Sequence, residues 1–218
     1  MEDKFHMTED KNIFLVKRNI VDYIYKSAKL EGINVTFPET QTIFQGVGVD
    51  GVHIEDIIKI NNMKRAWRFM LETLDRLTDF DYLSRINMII GSEGSIYGAG
   101  KIRVYDVKIS GTKWQPKLPF EYNIRQEMMD ILKIKSTTER AIVLMLWAMR
   151  SKIFIDGNKR SAMMLANKEM IKNGSGIISI PDDKIKIFYQ LLIDFYENND
   201  MKDIKHFVYD NCIDGQEF

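Results

Sequence analysis

Apolar residues recur at helical spacing along most of the chain. The stretch from about Lys11 to Leu30 has no proline or glycine before Gly32 and reads as a first helix. Thr36-Phe-Pro-Glu39 has the form of a capping box, in which Thr36 covers a free amide and Glu39 reaches back. Pro38 suits a first turn, where the N–H it lacks has no helical partner anyway, and Gly46 closes a short helix of about nine residues. Trp67, Met70, Leu71 and Leu74 follow as a core-facing stripe. The glycine-rich stretch Gly91–Gly100 interrupts the pattern. After it Tyr105, Val107 and Ile109 alternate with Asp106, Lys108 and Ser110, the period of a half-buried strand, and Gly111, Pro116 and Pro119 end the segment. A small hairpin over 95–111 is expected.

Helices resume after Pro119. Thr137 and Thr138 can cap a helix whose nine residues Ala141–Met149 are apolar on every face, so this helix should be central and buried. A polar turn from Ser151 to Arg160 leads into a helix carrying Ala162, Leu165, Ala166 and Met170, which stops at Asn173-Gly174. Two more helices start at Asp182–Asp183, with Ile185, Phe188, Tyr189 and Leu192 inward, and at Asp200, with Ile204, Phe207 and Val208 inward. No linker, repeat or low-complexity stretch intervenes. The pattern predicts a single mainly α domain over 1–218, with N-terminal helices in 1–50, the hairpin in 95–111 and a central helix–loop–helix in 137–174.

Composition narrows the function classes. Lys and Arg number 31, as do Asp and Glu, so the chain has no basic bias toward nucleic acid. Nine apolar residues in a row are about half a membrane span, and the charged start Met1–Asp10 lacks the apolar region of a signal peptide. The single cysteine, Cys212, excludes an internal disulfide or a cysteine-built zinc site. A soluble cytoplasmic protein without nucleic-acid or membrane partners is expected, with homo-oligomerisation left open. His6, His53 and His206 are scattered and read as incidental. Trp67, Trp147, Phe188, Tyr189, Phe195 and Phe207 read as core, whereas Trp114, outside any periodic segment, is a candidate target contact.

The turn before the last long helices carries the chemistry. Asp156-Gly157-Asn158 followed by Lys159 and Arg160 describes an anion site at a helix N-terminus, where free amides and the positive dipole end favour phosphate. Gly157 lets the backbone approach closely, Arg160 can fork two phosphate oxygens, and Lys159 adds a point charge. Asp156 offers a hard carboxylate for magnesium, and Asn158 can cap the helix or donate to a phosphate. The same residues also suit an ordinary capped turn with solvated charges.

Phe154-Ile-Asp156-Gly157-Asn158-Lys159-Arg160 resembles the signature of the Fic (Fido-domain) family, His-x-Phe-x-Asp/Glu-Gly-Asn-Gly/Lys-Arg, and lies between two helices late in the chain as that signature does. Gly98-Ala-Gly-Lys-Ile-Arg103 and the Trp114–Pro119 segment resemble the family's flap hairpin and the stretch after it. Ser27-Ala-Lys-Leu-Glu31-Gly32 resembles its inhibitory motif, Ser/Thr-x-x-x-Glu-Gly/Asn. The resemblance spans nearly the whole chain and implies a Fic-type helical bundle with a small β-hairpin flap. It further implies transfer of AMP from Mg2+–ATP to a hydroxyl of a target protein. On this reading Asp156 holds Mg2+, Gly157, Asn158, Lys159 and Arg160 bind the phosphates, and Phe154 plugs the loop into the core. Gly100, Lys101, Ile102 and Arg103 begin a flap that grips the target as an added strand, and Ser27, Glu31 and Gly32 form the inhibitory element.

Three positions depart from the pattern. Lys152 replaces the family histidine, the general base. Histidine titrates near 6.5 and lysine near 10.4, so Lys152 is a base at neutral pH only if its surroundings keep it uncharged, and charged it becomes one more phosphate clamp. Family-typical catalysis is therefore expected to be weakened, and a nucleotide-binding pseudoenzyme with a regulatory role is the alternative. Met163 stands where many members have a second arginine, the partner of the inhibitory glutamate, so Glu31 is expected to lack that partner; Ser27–Gly32 is also simply a helix end with Gly32 in a left-handed cap. Lys159 stands where glycine is common, a variant resembling the Doc branch, whose members transfer a phosphoryl group.

Overall fold

The computed structural model describes residues 1–217. Helix α1, Glu9–Leu30, starts at Thr8, whose side chain accepts from the Lys11 amide. It ends where the Gly32 and Ile33 amides turn back to the carbonyls of Lys29 and Ala28, with Gly32 at φ +75°; this left-handed closure is the one expected of Gly32. Helix α2, Phe37–Phe44, carries the capping box, with both reciprocal Thr36–Glu39 bonds present. Helix α3, Ile54–Glu72, buries Trp67 and Met70. A polar connection follows, and then α4, Phe80–Ile90, capped by Asp79. This break falls inside what the sequence presents as uninterrupted helical pattern. Helix α5 is Glu121–Ile131, and α6, Thr137–Ser151, is capped by Ser136 rather than by Thr137 or Thr138. Helices α7, Asn158–Lys172, α8, Ile185–Asn198, and α9, Lys202–Asn211, complete the bundle.

Helix α7 is the axis of the fold, packing against α6, α4, α1 and α3. Its surroundings on all sides explain why polar residues on it are buried. The Lys168 ammonium donates to the Arg76 carbonyl at 2.6 Å and to Thr78 Oγ1 at 2.9 Å. Glu169 accepts from Arg140 Nε at 3.0 Å and from Thr78 Oγ1. Burying such charges costs several kcal/mol unless every partner is supplied. Here the non-helical α3–α4 connection supplies the partners of Lys168 and one of those of Glu169, and Arg140 of α6 supplies the other.

The small β component is an antiparallel pair, β1 Ile177–Ile178 with β2 Ile213–Asp214, in which Ile177 faces Asp214. The hairpin expected over 95–111 is not formed: residues 101–109 are extended chain without a ladder. Gly98 and Gly100, at φ +66° and +78°, curl the chain before it, and a buried arginine takes the carbonyls a partner strand would use. The Arg103 guanidinium donates to the carbonyls of Tyr105, Pro116, Lys117 and Lys152. Val107 and Ile109 are half-buried, but Tyr105 is 71% exposed instead of joining them. Trp114 is not free for a target either. Its ring stacks under the Arg150 guanidinium, 4.1 Å away, and against Tyr196, pinning the end of the flap to α6 and α8.

Candidate functional site

Helix α6 ends at Lys152, which adopts a left-handed conformation with φ +45° and ψ +53°. That turn throws the chain back so that Ile153 and Phe154 enter the core, Phe154 stacking on Phe80 with centroids 6.5 Å apart. The Asn158 side chain then closes the loop, accepting from the Phe154 amide at 2.9 Å and donating to the Phe154 carbonyl at 2.8 Å. Asn158 is thus spent on the loop itself, not pointed at an external phosphate. Gly157 sits at φ +75° against α4, and a Cβ there would lie 2.9 Å from both Asn87 Nδ2 and Ile96 Cδ1. Asn87 is the support beneath. Its amide donates to the Asp156 carbonyl and Ser161 Oγ, both at 3.0 Å, and its carbonyl accepts from the Gly100 amide at 2.8 Å. One side chain thereby fixes the signature loop, the start of α7 and the root of the flap.

No side chain caps α7, so the amides of its first turn keep their positive end open. Three charged side chains stand around it. Asp156 projects its carboxylate, 65% exposed, with one oxygen on the Gly157 amide at 2.6 Å. Arg160 is only 4% exposed; its Nη2 lies 3.5 Å from Asp156 and its Nε 3.2 Å from Glu31. Lys159 lies 3.5 Å from the other Glu31 oxygen and donates to the Tyr189 hydroxyl at 2.6 Å. Glu31 therefore has cationic partners without a second signature arginine. Met163, at that arginine's position, is buried instead and lines a small cleft with Ser27 and Arg160.

These ion pairs are incomplete. Among the described residues Arg160 Nε and Nη1 and Glu31 Oε1 are buried without a hydrogen-bond partner, a costly state that a ligand would relieve. The anion these two cations face is Glu31, a carboxylate of the chain itself.

Lys152, Asp156, Asn158, Lys159 and Glu31 share one cavity of about 200 Å³, roofed by Val107–Ser110 and floored by Phe154 and Ile155. Of the expected flap residues, Gly100, Lys101, Ile102 and Arg103 lie outside this lining: Gly100 and Arg103 are tied into the body and Lys101 faces solvent. Burial, reinforced by repulsion from Lys159, pushes the Lys152 ammonium below the usual lysine range, with Glu31 and Asp156 opposing. For Lys159 burial pulls the same way, but Glu31 and the Tyr189 hydroxyl outweigh it and the group titrates above its usual range. Tyr189, which the sequence presents as core, is thus a site residue, and its hydroxyl also donates to the Leu30 carbonyl. Nothing in its helical spacing marks it.

The described residues contain no cluster of three or more His, Cys, Asp or Glu able to hold a metal alone. One exposed carboxylate fits Mg2+ in the manner that ion favours, completed by phosphate oxygens and water. The three histidines are exposed, away from the cavity. No helix among the described residues is long and apolar enough to cross a membrane.

No protein-family model matches the chain. It is 27% identical over 183 residues to protein adenylyltransferase fic-1 of Caenorhabditis briggsae, an alignment covering 78% of this chain and 35% of that protein. Among solved structures it superposes on a Fic domain containing signaling protein from Bacteroides thetaiotaomicron with a TM-score of 0.76 at 17% identity, covering 93% of this chain and 84% of that one. The fold is that of Fic domains. A further structural neighbour at TM-score 0.57 and 14% identity, the BepC protein of Bartonella tribocorum, was solved with bound AMPPNP; the match covers 81% of this chain and 89% of that one. The chain spans about a third of the length of the curated relative it matches.

Proposed function

We propose that this Fic-fold chain binds Mg2+–ATP at the N-terminus of α7 and transfers AMP to a hydroxyl of a target protein. The observation that carries the reading is Arg160, a buried guanidinium whose Nε and Nη1 make no hydrogen bond, at an uncapped helix start beside an exposed carboxylate and a lysine. A triphosphate supplies the acceptors this arrangement lacks. The adenylyltransferase relative and the neighbour solved with AMPPNP support the same ligand class. Asp156 would hold Mg2+ together with the phosphates, and the ion would neutralise their charge. Arg160, Lys159 and the first-turn amides orient the phosphates. The flap edge at Val107–Ser110 presents the target segment. Glu31 competes for the same cations, so Ser27–Gly32 acts as an inhibitory element whose release opens the site.

Lys152 favours a second reading beside the first. Without the family histidine a target hydroxyl has no ready proton acceptor, so a weakened enzyme or a nucleotide-binding regulator follows. Lys159 in place of glycine raises the Doc-like alternative of phosphoryl transfer. Incubation of wild type and Glu31→Gly with cell lysate and ATP labelled at either the α- or the γ-phosphorus separates these. Label in lysate proteins from the α-position supports AMP transfer, and label from the γ-position supports phosphoryl transfer. No transfer in either variant, with transfer gained in Lys152→His, identifies a nucleotide binder that lacks only its base.

A further inference from the structure

We infer that Lys152 is a nucleophile, taking the nucleotidyl group of a nucleoside triphosphate onto its side-chain amine as a phosphoramidate. The inference rests on the nucleotide reading above and assigns the path by which that site would transfer its group.

Position comes first. Lys152 lines the cavity together with Asp156, Asn158, Lys159 and Glu31, so its amine shares the space proposed for the phosphates. Its backbone is fixed at the mouth of that cavity. The left-handed turn is a strained conformation for a residue with a side chain, and it is held by Arg103, whose Nε donates to the Lys152 carbonyl at 2.6 Å and whose amide donates to the Ile153 carbonyl at 3.0 Å.

The amine itself is unengaged. Among the described residues Lys152 forms no ion pair and its Nζ no hydrogen bond; the amine lies over the Tyr196 ring, 5.9 Å from its centroid. The nearby carboxylates are occupied, Glu31 by Arg160 and Lys159, Asp156 by the Gly157 amide and Arg160. Burial and the neighbouring cations Lys159 and Arg103 favour the neutral amine, against Glu31 and Asp156. A desolvated lysine beside another cation is the usual way a protein makes this side chain nucleophilic. Phosphate charge on binding is met by Lys159, Arg160 and the helix end, which leaves Lys152 free of the clamp role.

The chemistry balances without the missing histidine. The neutral Nζ lone pair forms an N–P bond to the α-phosphorus. The bond from that phosphorus to the bridging oxygen breaks, pyrophosphate departs with its electron pair, and the surplus nitrogen proton passes to solvent. A target hydroxyl then attacks the same phosphorus, the N–P bond breaks, and the departing amine takes the hydroxyl proton. Lysine is thereby regenerated, and the leaving nitrogen serves as the proton acceptor that a base would otherwise supply.

Purified Glu31→Gly protein incubated with Mg2+ and ATP labelled at the α-phosphorus, without any acceptor protein, tests this. The expected product is label that survives alkali, is released by mild acid as a phosphoramidate is, and maps to Lys152 by mass spectrometry. γ-Labelled ATP should leave none. Lys152→Arg and Lys152→Gln in the same background should reduce acid-labile label to background while still binding Mg2+–ATP in calorimetry. Acid-stable label only, label retained in both variants, or label from the γ-position overturns the inference. If lysate proteins are modified with no lysine adduct detectable, the inference fails and the transferase reading stands. Absence of ATP binding by Glu31→Gly overturns both.

Discussion

Gly157→Ala probes the packing that holds the site. At φ +75° an alanine incurs about 1–2 kcal/mol of left-handed strain. Its Cβ would also lie 2.9 Å from Asn87 Nδ2 and Ile96 Cδ1, and 3.4 Å from Ile90 Cγ2, closer than real contacts tolerate at the first two. Asn87 must then shift, and it holds the Asp156 carbonyl, Ser161 Oγ and the Gly100 amide in a largely buried setting. Weakening those bonds adds about 1–3 kcal/mol. The sum is about 3 kcal/mol, which for a chain of this length lowers the melting temperature by about 6–12 °C. Scanning calorimetry gives that figure, and amide exchange should quicken together in the signature loop and around Gly100, because one side chain links them. A melting temperature within about 2 °C of wild type, with exchange unchanged around Gly100, would refute the claim that Asn87 couples the loop to the flap.

Arg103→Ala should destabilise by about 2–4 kcal/mol, since it strands four carbonyls and a stem of buried contacts; amides of residues 104–118 should exchange faster, and protection equal to wild type would contradict its anchoring role. Tyr189→Phe removes the hydroxyl between Lys159 and the Leu30 carbonyl and should cost about 1 kcal/mol by urea unfolding, while leaving Glu31 less restrained and Mg2+–ATP affinity higher; weaker ATP binding would contradict this. Glu139 is held below the usual carboxylate range first by Lys205 and then by the amino terminus. Its folded-state pKa is lowered, so the stability it contributes is present above the ordinary glutamate pKa and is lost as pH falls through the folded value. Glu139→Gln should accordingly flatten the acid limb of a stability–pH curve, and an unchanged limb would contradict the assignment.

Much of the fold was legible because its signals are local. Gly32 ends α1, and Thr36 with Glu39 starts α2, through contacts between residues at most five apart. The break between α3 and α4 was not legible, because the residues it partners, Lys168 and Glu169, lie about 90 positions away in sequence. The alternation after Gly100 correctly marks Val107 and Ile109 as half-buried. It cannot reveal that Arg103 takes the place of a partner strand, or that Trp114 is captured by Arg150. The signature loop stood out as one continuous string from Phe154 to Arg160. Its supports did not: Asn87 meets Asp156 across 69 residues and Tyr189 meets Lys159 across 30. Glu31 follows the same rule, since its partners become visible only when the end of α1 is laid against the start of α7.

Glu31 lies against Arg160 and Lys159 at the uncapped start of α7, in the place proposed for the phosphates. Isothermal titration of Mg2+–ATP into Glu31→Gly, and into the same variant carrying Asp156→Ala, measures this directly. The account predicts saturable binding by the first, tighter than wild type, and loss of its magnesium dependence in the second. A folded Glu31→Gly protein that takes up no ATP would contradict it.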